Sequence, residues 1–130
     1  MSRLRLIGET GASAPPRGHY SHAVVAGGFV FVSGQLPIRP DGTADPGLPF
    51  AEQSRQVLAN LRAALEAAGA RLEDVVKVTV YVASIDHWAD FNVAYAEMFG
   101  DHRPARAVVP VGPLHYGFGV EVDALAFVGP

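Results

Sequence analysis

The chain contains no cysteine, and this absence removes several kinds of site at once. A disulfide framework, a thiolate nucleophile and a cysteine-based zinc or iron–sulfur centre are all excluded. Catalytic chemistry in this chain therefore has to use oxygen and nitrogen groups. Histidine offers no replacement, because the five histidines match no recognised metal-binding spacing. They are His19, His22, His87, His102 and His115, and we expect no bound metal.

Long hydrophobic segments are also missing. The longest apolar stretch, 23–32, contains a Gly-Gly pair and falls well short of the roughly 18 residues that a membrane helix needs. No hydrophobic segment follows Arg3 and Arg5, so the sequence does not indicate a secretory signal. A cytoplasmic protein is therefore expected.

Runs of basic residues and phosphate-binding loops are absent too. The chain has 10 Lys and Arg residues against 13 Asp and Glu residues, for a formal net charge of −3. Proteins that follow a phosphate backbone concentrate positive charge on one face, so nucleic acid is disfavoured as the main partner. Gly112 and the segment 117–119 lack the strand–glycine–helix context of a phosphate loop, so no nucleotide cofactor is expected.

The composition indicates one compact domain spanning 1–130. A chain of 130 residues has the usual size of a single domain, and no repeat or linker divides it. Hydrophobic residues make up 49% of the sequence and charged residues only 18%. That balance is too apolar for a disordered chain. It is also low in charge for a monomer's surface, so some apolar surface is expected to face another subunit.

Two runs of β-branched and aromatic residues form the clearest local pattern. They span 22–32 and are joined by Gly27-Gly28, which suits the positive φ angles of a two-residue hairpin turn. A β-hairpin is predicted there. The following segment, 35–49, holds four prolines and an Asp41-Gly42 pair, and these residues predict a surface loop.

Two amphipathic helices and three further strands are predicted after this loop. Apolar residues recur at helical spacing over 50–68, and Gly69 is placed to end that helix. Strands are predicted at 75–82, 105–111 and 120–128, because β-branched residues dominate them. The order strand-strand-helix-strand-helix-strand-strand predicts an α+β sandwich, a mixed sheet with both helices on one face.

The second helix carries an aromatic stripe. Asp86 is in position to cap its start, and Gly100 is expected to end it. The spacing of the large apolar residues fits a buried helix face better than a ligand cage. We therefore predict a core role for Trp88, Phe91, Tyr95 and Met98.

Charged residues interrupt the last two apolar strands. Arg106 shares a strand face with Val108, and Glu121 shares one with Asp123, because side chains alternate along a strand. One interpretation is a structural ion pair between Arg106 and Glu121. The other is that Arg106 binds a substrate carboxylate through its planar fork while Glu121 orients or activates a water. Spacing leaves both interpretations open.

Six segments carry a family resemblance. They are GHYSHAV at 18–24, FVSGQLPI at 31–38, EQSRQVLANLRAALEAAGARLEDVVKVTVYV at 52–82, DFNVAYAEMFG at 90–100, RPARAVVPV at 103–111 and VEVDALA at 120–126. In order and spacing they resemble the Rid (reactive intermediate deaminase, YjgF-like) family over nearly the whole chain. The resemblance implies a chorismate mutase-like fold, assembled as a homotrimer with clefts between subunits.

The resemblance also implies an activity and a set of site residues. The activity is hydrolysis of 2-aminoacrylate-like enamines or their imine tautomers to 2-keto acids and ammonia, without a cofactor. By this match Arg106 binds the substrate carboxylate and Glu121 positions the hydrolytic water. The match also places Ser33, Tyr20 and Gly34 in the pocket, and Asn92 in it near the subunit boundary. Ser33 and Tyr20 are assigned to catalysis as well.

Several positions near the implied pocket depart from the family pattern. Arg17 and His19 flank Gly18 where an apolar residue and proline are usual, and Val108 replaces a small polar residue or cysteine. His115-Tyr116-Gly117 also stands in the final loop, 112–119, where the family usually has a proline. This loop could place His115 and Tyr116 over the pocket, although a loop role is equally open.

These departures leave the substrate open. The alternatives are a small-carboxylate-binding or regulatory protein with little turnover, and a deaminase for one dedicated pathway imine. RNA cleavage, also associated with the family, is disfavoured by the acidic balance.

Overall fold

The structure is a computed structural model that describes residues 3–130. One six-stranded mixed sheet carries two helices, which confirms the predicted α+β class. The elements, in chain order, are β1 (Leu4–Ile7), β2 (Ala23–Ala26), β3 (Phe29–Gln35), α1 (Phe50–Ala67), β4 (Val75–Val82), α2 (Trp88–Phe99), β5 (Ala105–Pro110) and β6 (Val120–Phe127). Short 3-10 turns precede β4, α2 and β6.

The strand order explains why both helices lie on one face. The sheet runs β1-β2-β3-β6-β4-β5, and all neighbours are antiparallel except the parallel pair β4 and β5. Helix α1 connects β3 to β4, which run in the same direction on either side of β6, and α2 connects β4 to β5. Both crossovers step across the sheet in the same direction. Since such crossovers are almost always right-handed, the two helices share a face, as predicted.

The core lies between the helices and this sheet face. Strand β4 contributes Val78, Val80 and Val82, and α1 contributes Val57 and Leu61, all fully buried. Burying one such side chain stabilises the fold by about 1.5–3 kcal/mol. The helical spacing seen in the sequence therefore matches the buried face of α1.

The other face of the sheet carries no helix. Its apolar residues near the β1 edge are 39% to 63% exposed: Leu4, Leu6, Phe29, Phe31 and Phe127. The Phe29 ring lies 4.9 Å from the Phe127 ring, so these side chains form one patch, which we call the open apolar face. Within the described residues, none of the helices has the length and apolar character needed to cross a membrane.

The N-terminal half of the sheet differs from the prediction in two ways. Strand β1 was not predicted, because four residues are too few to show a strand pattern, yet it pairs with β2 along its whole length. Gln35 belongs to β3 and not to the loop. The hairpin prediction is confirmed, since Gly27 and Gly28 have φ angles of 56° and 83°.

The start of α2 also corrects the sequence analysis. Asp86 does not cap the helix; instead the Ser84 side chain accepts a hydrogen bond from the Asp86 backbone N–H, and this closes the 3-10 turn before α2. Trp88 is not a core residue, because it is 44% exposed at the first position of the helix. The helix first meets the core one turn later, at Phe91.

Candidate functional site

Arg106 lies on the helix side of the sheet. Strand β5 is the edge strand, and its register places Arg106 beside Val78 of β4, whose side chain is buried in the core. The half-buried Arg106 therefore points toward α2. Its Nη1 donates a hydrogen bond to Oδ1 of Asn92 at 3.0 Å, and its guanidinium carbon lies 4.6 Å from the centre of the Tyr95 ring.

The two α2 residues that hold Arg106 are three positions apart, so they lie next to each other on one face of the helix. Burial raises the pKa of Tyr95 to about 12, although the positive charge of Arg106 acts in the opposite direction. The phenol is therefore neutral, and its ring attracts the cation. We call Asn92, Tyr95 and Arg106 the Arg106 half-site.

A cavity of about 520 Å³ opens beside the Arg106 half-site. All three residues of the half-site line it, together with Phe99, His102, Arg103 and the backbone around them. Arginine has five N–H donors, and among the described residues the side chain of Arg106 makes one hydrogen bond, to Asn92. The remaining donors suit a planar anion such as a carboxylate.

Glu121 lies on the opposite face of the sheet. In the register of β4 and β6, Glu121 pairs with Tyr81 and Asp123 pairs with Thr79, while Val120 and Val122 point into the core. The predicted alternation of β6 is therefore confirmed. Glu121 and Asp123 line a shallow cavity of about 260 Å³ together with Tyr81 and Gly34. We call Gly34, Tyr81, Glu121 and Asp123 the Glu121 half-site.

Gly34 is required by the position of Glu121. The pairing of β3 with β6 shifts register between Val32 and Gln35, so the backbone bulges there. A Cβ atom on Gly34 would overlap Oε2 of Glu121. Glycine therefore lets the β3 backbone approach the carboxyl group closely, which is a common use of glycine at sites.

The surroundings of Glu121 favour the neutral, protonated form of its carboxyl group. Burial raises the pKa of its carboxyl group above the usual range, and the negative charge of Asp123 adds to this, while His115 acts in the opposite direction. A carboxyl group with a raised pKa exchanges protons closer to neutral pH than an ordinary glutamate does.

Ser33 and Tyr20 lie near the Glu121 half-site. The Ser33 hydroxyl donates a hydrogen bond to the Ser21 carbonyl at 2.6 Å, and the Ser33 backbone N–H donates to the His22 carbonyl. Tyr20 is 51% exposed and lines a narrow crevice that also includes Gly34. The structure thus brings Ser33, Gly34 and Tyr20 to the same end of the sheet as Glu121.

The loop before β6 reaches the same region from the other side. His115 is close enough to Glu121 to affect its pKa. Tyr116 has a positive φ of 62° and contacts Arg17, whose guanidinium lies 5.4 Å from the ring centre and donates a hydrogen bond to the Gly42 carbonyl. The departures in the sequence at Arg17 and Tyr116 are therefore in contact with each other.

The ion-pair interpretation is wrong for a single chain. Arg106 and Glu121 lie on opposite faces of the sheet, and the ion pairs within 4.0 Å among the described residues are Arg62–Glu66 and Arg71–Asp74. The structure thus separates the predicted residues into two groups. Arg106 and Asn92 form one, and the second comprises Ser33, Gly34, Tyr20, His115 and Glu121.

Sequence reasoning missed three residues of these groups. Tyr95 was assigned to the core alone, Asp123 was noted only as a charge, and Tyr81 was part of a buried strand. A tyrosine within a valine-rich strand, directly between the buried Val80 and Val82, was the available signal for Tyr81. Within residues 3–130, no group of three or more His, Asp and Glu side chains is arranged to hold a metal ion.

Comparison with known proteins agrees with this architecture. The model of the family described as endoribonuclease L-PSP matches residues 11–128. A RutC family protein of Pyrococcus horikoshii is 45% identical over 112 residues, covering 86% of this chain and 89% of its own length. A 2-iminobutanoate/2-iminopropanoate deaminase of Bos taurus is 38% identical over 130 residues, covering 99% of this chain and 94% of its own.

A solved structure gives the same result for the fold. The crystal structure of TdcF of E. coli with bound serine is 31% identical, has a TM-score of 0.87, and covers 95% of this chain and 98% of its own. The match extends over nearly the whole chain in sequence and in structure. The chain therefore belongs to the endoribonuclease L-PSP family, also known as the YjgF or Rid family, which includes 2-iminobutanoate/2-iminopropanoate deaminases.

Proposed function

We propose that the protein is a homotrimeric hydrolase that deaminates reactive imines and enamines carrying a carboxylate beside the imine carbon. The overall reaction adds one water to R–C(=NH)–COO⁻ and releases R–CO–COO⁻ and ammonia. The observation that carries the proposal is the Arg106 guanidinium, fixed by Asn92 and Tyr95 at the wall of a cavity of about 520 Å³. A cation held this firmly suits the carboxylate of such a substrate.

Arg106 would bind and orient the substrate. Its planar fork forms two parallel hydrogen bonds to a carboxylate, which fixes both the position and the plane of that group. The imine carbon is bonded directly to the carboxylate carbon, so orienting one orients the other. Holding the reacting groups in place can supply a large part of the rate enhancement for a substrate that already reacts slowly with water.

Glu121 would carry the protons of the reaction. As a carboxylate it accepts a proton from the attacking water and passes it to the imine nitrogen, so that a tetrahedral intermediate with one hydroxyl and one amino group forms. It then accepts the hydroxyl proton and passes it to the amino group, which leaves as ammonia while the C–N bond breaks and the C=O bond forms. The raised pKa of Glu121 supports this role, since the group has to gain and lose a proton in one cycle.

A homotrimer would bring the two half-sites together. Within one chain they face opposite sides of the sheet, so Arg106 of one copy must meet Glu121 of another to complete a site. The open apolar face supports association, because exposed apolar patches of this kind usually mark protein interfaces. Closed rotational symmetry gives every copy the same pair of interfaces and therefore gives three equal sites.

The comparisons support the reaction class. The bovine relative is named for deamination of 2-iminobutanoate and 2-iminopropanoate, both of which carry a carboxylate beside the imine. The bound serine of the E. coli structure also carries a carboxylate beside a nitrogen-bearing carbon. The cytoplasmic location and the absence of a cofactor stay predictions.

A steady-state assay tests the reaction. An amino-acid oxidase generates a 2-imino acid in situ, and ammonia release is followed with and without the protein. Acceleration of release at constant oxidase activity supports the deaminase. Saturable binding of a 2-keto acid without acceleration would instead identify the small-carboxylate-binding protein. Metal-free cleavage of RNA that the Arg106→Ala control lacks would favour the ribonuclease that the family's description names.

Mixed trimers test the shared site. Arg106→Ala and Glu121→Gln chains should each retain little activity alone, but after unfolding and refolding together some sites combine an intact Arg106 with an intact Glu121. For random association of equal amounts in a closed ring, about a quarter of the sites are intact. Recovery of that activity supports the proposal. A mixture with no more activity than its components would mean that Arg106 and Glu121 act in a site within one chain, or that they do not act in the same site.

A further inference from the structure

A second carboxyl group shares the cavity of Glu121. Asp123 lies two residues further along β6, on the same face, and both side chains line the cavity of about 260 Å³. Two neighbouring carboxyl groups rarely ionise independently, because the charge of one raises the proton affinity of the other. The arrangement therefore raises the question of which group holds the exchangeable proton.

Tyr81 distinguishes the two carboxyl groups. Its hydroxyl donates a hydrogen bond of 3.0 Å to Oδ2 of Asp123, although its register partner across the strands is Glu121. A donor bonded to a carboxylate stabilises the ionised form. Burial and the two negative charges raise the pKa of Tyr81, so the phenol keeps the proton that it donates. Glu121 receives no such bond from Tyr81.

We propose that Tyr81 and Asp123 are positioning residues that keep the exchangeable proton of this cavity on Glu121. The Tyr81 hydroxyl bonds to Asp123 and not to Glu121, and the negative charge of Asp123 makes the neighbouring Glu121 the group that gains and loses the proton. The step is a proton exchange between water and the Glu121 carboxyl group, with no change at Asp123 or Tyr81. The purpose of this arrangement rests on the proposed function, but the titration that tests it does not require deaminase activity.

The other charged groups near Glu121 are few. His115 approaches from the 3-10 turn before β6 and lowers the proton affinity of Glu121, which opposes Asp123. Lys77 is on the same sheet face but lies beside Leu125, nearer the start of β4 than Thr79 and Tyr81. In the proposed trimer, Arg106 of a second copy adds a positive charge. None of these groups forms an ion pair or hydrogen bond with Asp123 within the described chain, so Tyr81 is the residue that separates the two carboxyls.

The test is a titration of the carboxyl groups in the whole protein. Carbon-13 labels in the Glu and Asp carboxyl groups report each protonation by NMR, with Glu121→Gln and Asp123→Asn used to assign the signals. In the wild type, Glu121 should be the first carboxyl group of this cavity to gain a proton as the pH falls. In Tyr81→Phe, which removes only the hydroxyl, the proton should be shared between Glu121 and Asp123, because the stabilising donor is lost.

The variant Asp123→Asn sharpens the test. It removes the repelling charge, so Glu121 should titrate at lower pH, and the relative deaminase rate one pH unit below the wild-type midpoint should rise about threefold. The double variant Tyr81→Phe/Asp123→Asn should match Asp123→Asn, since Tyr81 acts through Asp123. Thr79→Val is the matched control, because Thr79 faces Asp123 across the strands and should change neither titration.

Opposite outcomes overturn the inference. A wild-type Asp123 that titrates above Glu121, or a Glu121 titration that stays unchanged in Asp123→Asn, removes the positioning role. The NMR measurement needs no turnover, so it separates the two hypotheses. Expected titrations in a protein without deaminase activity would reject the proposed function alone.

Discussion

The two half-sites are built in contrasting ways. The Arg106 half-site fixes a cation through side chains, with an amide oxygen on one side and an aromatic ring below. The Glu121 half-site buries a carboxyl group against the bulged β3 backbone and beside a second carboxyl group. Burial, together with the second negative charge, raises the pKa of Glu121. One region stabilises a permanent charge, and the other makes a charge easy to neutralise. The difference matches the division between binding an anion and moving a proton.

Removing the cation should give the largest effect. Arg106→Ala is expected to lower kcat/KM for carboxylate-bearing imines about a thousandfold, since two hydrogen bonds between charged groups are worth roughly 4 kcal/mol. Arg106→Lys should recover only part, because an ammonium cannot reproduce the paired planar bonds. Steady-state kinetics on variants shown to be folded and trimeric measures both changes.

Arg62→Ala is the charge-matched control for this comparison. Arg62 forms an exposed pair with Glu66 on α1, far from either half-site in the fold, and its loss should leave kcat/KM near the wild-type value. Near-normal deamination by a folded Arg106→Ala trimer would falsify the carboxylate-binding role.

Replacing the proton carrier should give the next largest effect. Glu121→Gln keeps the shape of the side chain but cannot exchange a proton, so kcat should fall about a hundredfold while substrate binding changes little. In the wild type the rate should fall as pH drops through the raised pKa of Glu121, because the carboxylate needed to accept a proton is lost there. The variant should lack this acidic limb, and a full pH–rate profile compares the two. An unchanged limb in Glu121→Gln would assign it to another group.

Filling the bulge should give a smaller loss. In Gly34→Ala the added Cβ displaces the Glu121 carboxyl group, so kcat should fall about tenfold, as expected when a reacting group is moved by a fraction of an ångström to an ångström. The fold should persist, since the overlapping atom is the free end of a side chain. Gly11→Ala is the control, because a Cβ there meets no atom within 4 Å. Wild-type kcat in Gly34→Ala would show that the close approach has no role in turnover.

Removing one of the two contacts that hold Arg106 should give the smallest effect. Asn92→Ala removes one hydrogen bond but leaves Tyr95 beneath Arg106, so KM should rise about fivefold, the equivalent of roughly 1 kcal/mol. Val93→Ala on the same helix tests for a general effect of changing α2, since Val93 is 61% exposed. Equal losses in the two variants would mean that helix stability, and not the orientation of Arg106, accounts for the change.

Most of the fold could be predicted because its elements are long and strongly periodic. Helix α1 and strands β4, β5 and β6 lie within about one residue of their predicted bounds. Strand β1 escaped prediction because its four residues, LRLI, are too few to show a strand pattern. The cap at Ser84 was missed because the 3-10 turn Ile85–His87 separates it from Trp88, the first residue of α2.

The sequence predicts which site residues share a face of one strand, but not how site residues of different strands are placed relative to each other. Alternation correctly placed Glu121 and Asp123 together. It could not relate Arg106 to Glu121, because β4 lies between their strands and the register across two interfaces is set by tertiary packing. The hydrogen bond from Tyr81 to Asp123 depends on the same register and was beyond the sequence for the same reason.

The position of β6 in the middle of the sheet links synthesis of the chain to the integrity of its site. Ribosomes make proteins from the N-terminus, so β6 emerges after the five strands that it joins into one sheet. Until then β3 and β4 each present an unpaired edge, and the nascent chain consists of a three-stranded piece and a two-stranded piece. A chain broken off before β6 lacks both Glu121 and the strand that unites these pieces. Truncated chains of that kind are therefore expected to fail at folding.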